Sequence, residues 1–499
     1  MPLQKLQFRP GVNRETTSYS NEGGWFDMDK VRFRFGYPEK IGGWIKSSVS
    51  TFLGTCRALH PWVALDGTNY LGVGTHLKYY INQGGAYNDI TPIRLVTSAG
   101  DLTFSASANT LAAAATATVT TLTLTSSSGF PTSGRIKINN EIITYAALNG
   151  NNLTGCVRGV SDTIAAAHSS SDAVLCATIV VADSAHGALE NDFVTFSGSA
   201  SLGGNLTAAI INQEYQITTI VSVNSYQVEA RITESISSIT ESYGLNQTYV
   251  FASTSDSNNG GSSVVGAYQI NTGLDTTIVG NGWNAGGWSR GTWGSAADLT
   301  TSGDTLRIWS HDNFGEDLII NVRDADIFYW DKSASSENTF DRAVELASIS
   351  GANKAPVIAK QIIVSDIDRH VIAFGCDSET NPGVQDPLLI RFSDQENILE
   401  WQSLKTNTAG DLRIGSGSKI ITAVETRQQV LVFTDVSLHA MQYLGPPFTF
   451  GINSISEGIT IASPLSAIAV EDNVFWMGAE EFYVYGGTVQ RLPCSVRDY

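Results

Sequence analysis

The sequence is poor in charge, in long apolar runs and in helical periodicity. Asp, Glu, Lys and Arg make up 16% of its 499 residues, against about 25% in an average soluble domain. Ser, Thr, Asn and Gly take their place. No run of apolar residues is long enough to predict a membrane-spanning helix, and no window sustains a 3.6-residue apolar period. A helical bundle and a helical membrane protein are therefore excluded.

Motifs that carry chemistry are also scarce. No two histidines stand at metal-binding spacing, and His311 and Asp312 are neighbours only in sequence, whereas a catalytic dyad needs spatial pairing. Asp256 begins a stretch like a calcium loop, but no glutamate closes it. The glycines from Gly415 lack the spacing of a nucleophile elbow, and no phosphate loop is present. We predict no enzyme activity, no catalytic residues, no metal site and no cofactor.

The cysteines form no CxxC pair and are widely spaced, which argues against a disulfide framework or a zinc site. Reduced, buried thiols are expected instead. They are Cys56, Cys156, Cys176, Cys376 and Cys494.

What the sequence does contain is a repeated β-hairpin of β-branched and aromatic residues around a polar turn. The first strands of the C-terminal hairpins begin at Val371, Val430 and Val474. Successive starts are therefore 59 and 44 residues apart, which lies near the roughly 40–50 residues of a propeller blade. The paired segments are 371–374 with 388–392, 430–433 with 438–443, 474–477 with 482–485, 318–322 with 326–330, and 70–75 with 77–81. The pattern predicts an all-β protein, a β-propeller with two small β-modules inserted in a loop.

The modules are predicted from a change in composition near residue 100, where Ala, Thr and Ser replace the aromatics. Segments 134–139 and 141–145 alternate cleanly around an Asn139–Asn140 turn, and surface loops tolerate such insertions at small entropic cost. A Ser-, Asn- and Gly-rich linker is expected to lead back to the propeller. The predicted organisation is 1–99 for the N-terminal strand and first blades, 100–175 and 176–250 for the two modules, and 251–499 for the linker and remaining blades.

Net charge is −18, yet the first 46 residues hold more basic than acidic residues. Val31, Phe33 and Phe35 alternate with Arg32 and Arg34, which predicts a half-buried strand with a basic edge, followed by a turn at 36–43. The edge is either a solvated face or a contact with an acidic neighbour, nucleic acid or another subunit. The acidic remainder argues against tight wrapping of DNA but is compatible with a lumen through which DNA slides.

Four stretches resemble the tail nozzle and packaged-DNA stabilisation (head-completion) proteins of short-tailed bacteriophages. They are residues 24–44, 306–318, 391–394 with Trp401, and 442–448 through 476–478. Residues 134–168, including Glu141–Tyr145 and the Arg158–Gly159 pair, are similar to small β-modules of phage tail proteins. These motifs are structural, and no catalytic residue is carried over.

The resemblance implies a virion tail protein, assembled in the host cytoplasm as a hexameric homo-oligomeric ring below the portal and tail adaptor. The ring would retain double-stranded genomic DNA without sequence-specific binding and conduct it at ejection. The modules would face the adaptor or tail fibres.

Two other functions stay open. One is a carbohydrate-binding or glycan-cleaving tail propeller for host attachment. Segments 289–293 and 393–401 share parts of the glycosidase-propeller turn but lack its Asp and Gly at the required offsets. The other is a secreted adhesin with β-modules.

Overall fold

The protein is built almost entirely of antiparallel β-strands, which confirms the predicted all-β class. The structure is a computed structural model that describes residues 9–14, 17, 19–233, 247–273, 306–334, 340–365, 367–445 and 448–493. Its contacts divide the chain into two compact units. The stacked-sheet unit comprises Met1–Val49, Trp309–Tyr329 and Leu346–Tyr499, and the module unit comprises Ser50–Ile308 and Trp330–Glu345.

In the stacked-sheet unit, four sheets follow one another along the chain. Within each sheet the strands pair in sequence order. The first contains Trp309–Phe314, Asp317–Val322 and Ile327–Trp330; the second Gln361–Val364, Val371–Phe374, Leu389–Phe392 and Gly410–Arg413; the third Ile420–Glu425, Val430–Thr434, Ser437–Gly445 and Thr449–Glu457; and the fourth Ala467–Val470, Asn473–Met477, Phe482–Tyr485 and Val489–Leu492. Two short hairpins and a 3₁₀ turn accompany them: Val31–Arg34 with Tyr37–Lys40, Asp377–Ser378 with Asn381–Gln385, and Leu346–Ser348.

The hairpins predicted in this unit are confirmed by the strand pairing. Val371–Phe374 pairs with Leu389–Phe392, and Asn473–Met477 pairs with Phe482–Tyr485. Val430–Thr434 likewise pairs with Ser437–Gly445. Runs of β-branched and aromatic residues interrupted by short polar turns have only this local way to pair their backbone groups.

Alternating residues of the second and third sheets pack in two different cores, so the sheets stack face to face. Val371 and Ala373 pack in the core shared with the first sheet. Ile372 and Phe374 pack in the core shared with the third. Alternate side chains of a strand point to opposite faces, so one four-stranded sheet separates two apolar layers. This is the packing that a propeller requires, although closure into a ring stays a prediction.

The module unit begins with a four-stranded sheet that matches the predicted first blade, including the pairing of Asn69–Thr75 with Tyr79–Gln83. Its other strands are Cys56–Val63 and Ala86–Asp89. Strand Val344–Glu345 also belongs to the residues of this unit.

The first module has two small sheets around one core. Their strands are Glu141–Tyr145, Gly134–Ile138, Ala173–Cys176 and Ala108–Thr110 in one sheet, and Thr121–Thr123, Asn152–Thr154 and Ala147–Asn149 in the other. The predicted hairpin around Asn139 and Asn140 is confirmed, with Ile138 opposite Glu141. Asn139 has a φ of 53°, a conformation that asparagine tolerates better than most residues.

The second module is a seven-stranded sheet that draws strands from distant parts of the chain. Its order is Ile93–Val96, Val265–Gln269, Phe193–Ser197, Glu214–Ser222, Ser225–Glu229, Thr178–Ala182 and Thr103–Ser105. A short helix, Ala208–Ile211, and the pair Arg231–Thr233 with Gln247–Tyr249 complete it. Three of the seven strands thus lie outside the 176–250 segment assigned from composition.

Several local predictions are wrong. Residues 36–43 are not only a turn, because Tyr37–Lys40 pairs with Val31–Arg34. Val265–Gln269 is a sheet strand and not a linker, since it pairs on both edges. The strand expected from Cys176 breaks at Ala177, where the chain passes from one sheet to another. The last two errors share a physical cause, because the partner strands are remote in sequence.

Candidate functional site

The successive sheets of the stacked-sheet unit are joined by polar side chains on their first strands. Ser310 Oγ accepts the N–H of Ile362 at 3.0 Å, and a carboxylate oxygen of Asp312 accepts the N–H of Val364 at 2.9 Å. A strand that would otherwise present unpaired N–H groups is thereby satisfied by its neighbour's side chains. Asp312 of the His311–Asp312 pair is thus engaged in holding two sheets together.

Gln361 repeats this arrangement between the second and third sheets. Its amide group donates to Ala423 O and accepts from Ala423 N, both at 2.8 Å. Thr422 Oγ1 also donates to Gln361 Oε1, at 3.0 Å, and Arg323 donates to Ile421 O at 2.9 Å. We call Ser310, Asp312, Arg323 and Gln361 the inter-sheet stitches.

The 391–401 stretch is also an internal brace. Arg391 is buried in the second sheet and donates to three carbonyl oxygens, of Lys354, Asp377 and Trp401. The Trp401 ring is buried and donates its indole N–H to Ile398 O at 2.7 Å. A guanidinium that spans three loops fixes their relative positions. The parts of a glycosidase turn seen in this stretch therefore have a structural role.

A buried ionic cluster lies in the first module. The carboxylate of Glu141, 1% exposed, accepts two hydrogen bonds from the guanidinium of Arg158, both at 2.8 Å. It also accepts the N–H of Ala166 at 2.9 Å and that of Gly159 at 3.0 Å, and lies 2.8 Å from His168 Nε2. Burial alone would raise the pKa of Glu141. The hydrogen bonds from Arg158, Ala166 and His168 outweigh it and lower that pKa to about 2.

Arg158 extends the cluster to the surrounding loops by donating to Thr116 O at 2.8 Å and to Ala166 O at 2.7 Å. The cluster thus ties the second strand of the predicted hairpin to loop residues on both sides. Glu141 and Arg158, which are among the residues that carry the resemblance of the 134–168 stretch, therefore have a structural role. The sequence gives no direct sign that the two side chains meet.

A second ionic cluster in the module unit was missed. Lys78 Nζ contacts Asp89 at 2.7 Å and also Glu214, and it lies 4.5 Å from the centre of the Phe193 ring. Arg342 contacts the same two carboxylates. The cluster joins the Cys56–Asp89 sheet to the second module. The signal in the sequence is a lone lysine beside an apolar strand, which needs a buried partner.

Asp256 lies outside any linker, buried beside the second module. Its carboxylate accepts backbone N–H groups of Gly204, Asn205, Leu206 and Ser253 at 2.7–3.0 Å. Burial opposes ionisation, but these donors prevail and lower the pKa of Asp256. Its oxygens are directed at N–H groups, so this residue closes a loop.

One polar cleft of about 420 Å³ lies where the third and fourth sheets meet. Gln442 donates to Gln429 at 3.0 Å, and Gln429 donates to the hydroxyl of Tyr485 at 3.1 Å. The remaining lining residues are Thr426, Gln428, Asp472, Asn473, Gly486 and Gly487. Side-chain amides, one carboxylate and a tyrosine hydroxyl can bind a neutral, hydroxyl-rich ligand.

The four described cysteines are free thiols. Cys156, Cys176 and Cys376 are buried, as expected, and burial raises the pKa of Cys176 to about 12. Cys56 is exposed, contrary to expectation, because it begins the first strand of its sheet. Cys494 lies outside the described residues.

Across the described parts of the chain, no cluster of His, Cys, Asp and Glu could hold a metal ion. Nor does any helix there have the length and apolar character needed to cross a membrane.

Similarity to known proteins does not assign the chain to a family. No family model matches the chain, and no curated protein matches it. Among solved structures it is similar to the extracellular domain of a hybrid two component system from B. thetaiotaomicron, at 12% identity and a TM-score of 0.25, covering 88% of this chain and 60% of that one.

Two further structures have similar values. PorZ, a surface component of the type-IX secretion system of Porphyromonas gingivalis, has 10% identity and a TM-score of 0.26, with 89% of this chain and 57% of that chain covered. Phage phi92 endosialidase has 9% identity and a TM-score of 0.19, with 89% and 66% covered. TM-scores in this range do not establish a shared fold.

Proposed function

We propose that the chain is a structural subunit of a phage tail nozzle, in which copies form a ring around a channel. The ring retains packaged genomic DNA, conducts it at ejection, and serves as a platform for the adaptor and other tail proteins. The subunit is a β-propeller that carries two modules, it works without catalysis, and it resides in the virion tail.

The observation that supports this proposal most is the role of the residues behind the resemblance. Ser310, Asp312, Arg391 and Trp401 all lie in the resembling stretches, and all hold the stacked sheets or their loops in place. A conduit that contains DNA under pressure needs a rigid wall, and side chains that join sheet to sheet supply rigidity.

The charge of the chain also favours a conduit over a DNA-binding protein. With a net charge of −18, the chain repels the phosphate backbone and does not neutralise it. A duplex that must pass quickly should not adhere to the wall.

Electron microscopy of intact particles, with mass spectrometry of their proteins, tests the proposal. We expect a hexameric ring of this chain on the tail axis. Particles made without the chain should package DNA and then lose it. A location away from the axis, or particles that retain DNA normally without the chain, would refute the nozzle.

The polar cleft favours a second candidate, binding of host glycan by the same unit. Its amide groups, from Gln428, Gln429, Gln442 and Asn473, present both donors and acceptors to sugar hydroxyls. This function predicts that purified protein binds or cleaves host surface polysaccharide. Gln429→Leu should abolish binding, because it removes the amide that links Gln442 to Tyr485. Absence of any glycan interaction by the wild-type protein would eliminate this candidate.

A further inference from the structure

Residues 30–49, which we call the arm, expose an unusual amount of apolar surface. A two-residue turn at Phe35 and Gly36, with φ of 50° and 84°, closes the hairpin of Val31–Arg34 and Tyr37–Lys40. The side chain of Phe35 is 91% exposed, that of Trp44 97% and that of Ile45 93%. Aromatic and aliphatic side chains exposed together in this way mark an interaction surface.

The arm is also basic. It contains Lys30, Arg32, Arg34, Lys40 and Lys46 against the single acid Glu39, a net charge of +4 in a chain of −18. Arg32 and Arg34 lie on the exposed side of their strand. A partner for the arm should therefore combine apolar surface with negative charge.

The fourth sheet of the stacked-sheet unit offers such a surface. One of its faces packs against the third sheet through Val474, Trp476 and Tyr485. On the other face Ile468 stands opposite Phe475 and Met477 opposite Phe482. Ile468 is 63% exposed, and Phe475 and Met477 are exposed as well. We call this the open face.

The segment that carries the open face is acidic. Residues 467–492 contain Glu471, Asp472, Glu480 and Glu481 against the single base Arg491. The other three sheets of the unit bury their apolar residues in the cores between successive sheets. The open face is thus an apolar layer of the same kind as the buried ones, with an acidic surround.

We propose that the arm of one copy of this chain docks on the open face of a second copy. The two surfaces belong to the same chain and to the same unit, yet both are exposed within a single copy. Their apolar character matches and their charges are opposite. Because arm and face are different surfaces, the contact is heterologous and can be repeated from copy to copy until a ring closes. The proposal rests on the homo-oligomer of the proposed function and names its interface.

Sedimentation of the full chain with two disrupting variants tests the contact. Trp44→Ala with Ile45→Ala removes the anchors of the arm, and Ile468→Asp places a charge on the open face at a side chain that is 63% exposed. The altered side chains are solvent-exposed, so unchanged thermal unfolding is expected of both variants. Each should raise the dissociation constant for self-association about tenfold or more, as loss of an interface anchor does. Ile164→Asp and Val223→Asp, which alter exposed apolar residues of the two modules, are matched controls and should leave it unchanged.

Mixing the two disrupting variants gives a sharper result. The arm variant keeps an intact open face and the face variant keeps an intact arm, so together they should form a one-to-one pair but no larger assembly. Raising the salt concentration should weaken this pair, because screening removes the charge attraction.

A wild-type chain that stays monomeric, variants with wild-type mass, or a mixture that forms no pair would overturn the proposal. So would loss of duplex DNA binding in Arg32→Glu with Arg34→Glu at unchanged mass, since the arm would then serve nucleic acid. These outcomes are independent of where the protein lies in a particle. Failure of the arm contact is thus distinguishable from failure of the nozzle.

Discussion

Replacing Arg158 by methionine should unfold the first module locally, because it leaves the Glu141 carboxylate buried without its cation. Methionine matches the length of the arginine stem but provides no donor. Glu141 would keep the N–H groups of Gly159 and Ala166 and the ring of His168. It would lose the two hydrogen bonds from the positively charged guanidinium of Arg158.

Two independent considerations give the magnitude. Removing one partner of a buried ion pair costs about 3–5 kcal/mol. The pKa of Glu141 falls from 4.5 to about 2 in the folded protein, and at about 1.4 kcal/mol per pKa unit this corresponds to roughly 3 kcal/mol of stability at neutral pH. Much of this stabilisation comes from Arg158. The free energy of unfolding of the module should therefore fall by about 3 kcal/mol.

The dependence on pH follows from the direction of the shift. The folded pKa of Glu141 is depressed, so its stabilisation is complete above the unfolded pKa of 4.5 and is lost as pH falls toward about 2. The wild-type module should lose stability steeply in this interval. In Arg158→Met the loss of stability over this interval should be much smaller, because much of the stabilisation that acid removes came from Arg158.

Hydrogen exchange of peptides from residues 134–176 measures this locally, as both sheets of the module contribute to that range. Faster exchange should appear in those peptides and leave the 361–457 peptides of the stacked sheets unchanged. Asp162→Asn, which removes an exposed carboxylate of the same module, is the control. Adding Glu141→Gln to Arg158→Met should restore part of the loss, since no charge is then left unpaired. Unchanged exchange in Arg158→Met, or an acid response identical to wild type, would refute this account of the cluster.

Further predictions concern the other buried polar groups and the charge of the chain. Lys78→Met should lower the free energy of unfolding of the module unit by about 3 kcal/mol or more, because Asp89 and Glu214 then face each other with only Arg342 between them. Urea unfolding, followed by hydrogen exchange in the 56–89 peptides, measures this loss of stability. An unchanged urea midpoint would contradict the prediction. Gln361→Leu should lower the free energy of unfolding by about 1–3 kcal/mol, because it leaves the buried N–H of Ala423 unsatisfied. Faster hydrogen exchange in the 420–434 peptides is the readout. Gln395→Leu, at an exposed loop position, is the control. Fluorescence anisotropy with labelled duplex should detect no DNA binding at physiological salt, and a dissociation constant in the nanomolar range would be incompatible with a non-adhesive channel wall.

Most local pairing could be predicted from the sequence, with the exception of the hairpin of Val31–Arg34 and Tyr37–Lys40, and remote pairing could not. The hairpins that begin at Val371, Val430 and Val474 are confirmed because strand propensity, face alternation and turn chemistry act within a dozen or so residues. Val265–Gln269 was expected in a linker because its partners, Ile93–Val96 and Phe193–Ser197, are far away in sequence. Its Ser- and Gly-rich flanks describe the loops that lead into it and carry no information about the strand it joins.

Buried polar residues show the same division. Glu141 and Arg158 stand out as part of a resemblance, but their direct contact depends on a fold that brings residues 17 positions apart together. Lys78 and Glu214 are 136 positions apart, so no periodicity links them. The inter-sheet stitches are ordinary polar residues, three of them in strands and Arg323 in a turn, and only the stacking of sheets reveals that they satisfy a neighbour's backbone.

The stitches and ionic clusters also bear on what a sequence resemblance can mean for this chain. A polar residue that satisfies a neighbour's buried backbone group or charge is costly to replace, because each substitution leaves an unpaired group. Ser310, Asp312, Glu141, Arg158, Arg391 and Trp401 are all of this kind. A resemblance carried by such residues reports shared architecture more directly than shared activity. The surfaces that would distinguish a nozzle from a glycan-binding propeller are the arm, the open face and the polar cleft. The decision between the two functions therefore depends on experiments at those three surfaces and on the location of the chain in the particle.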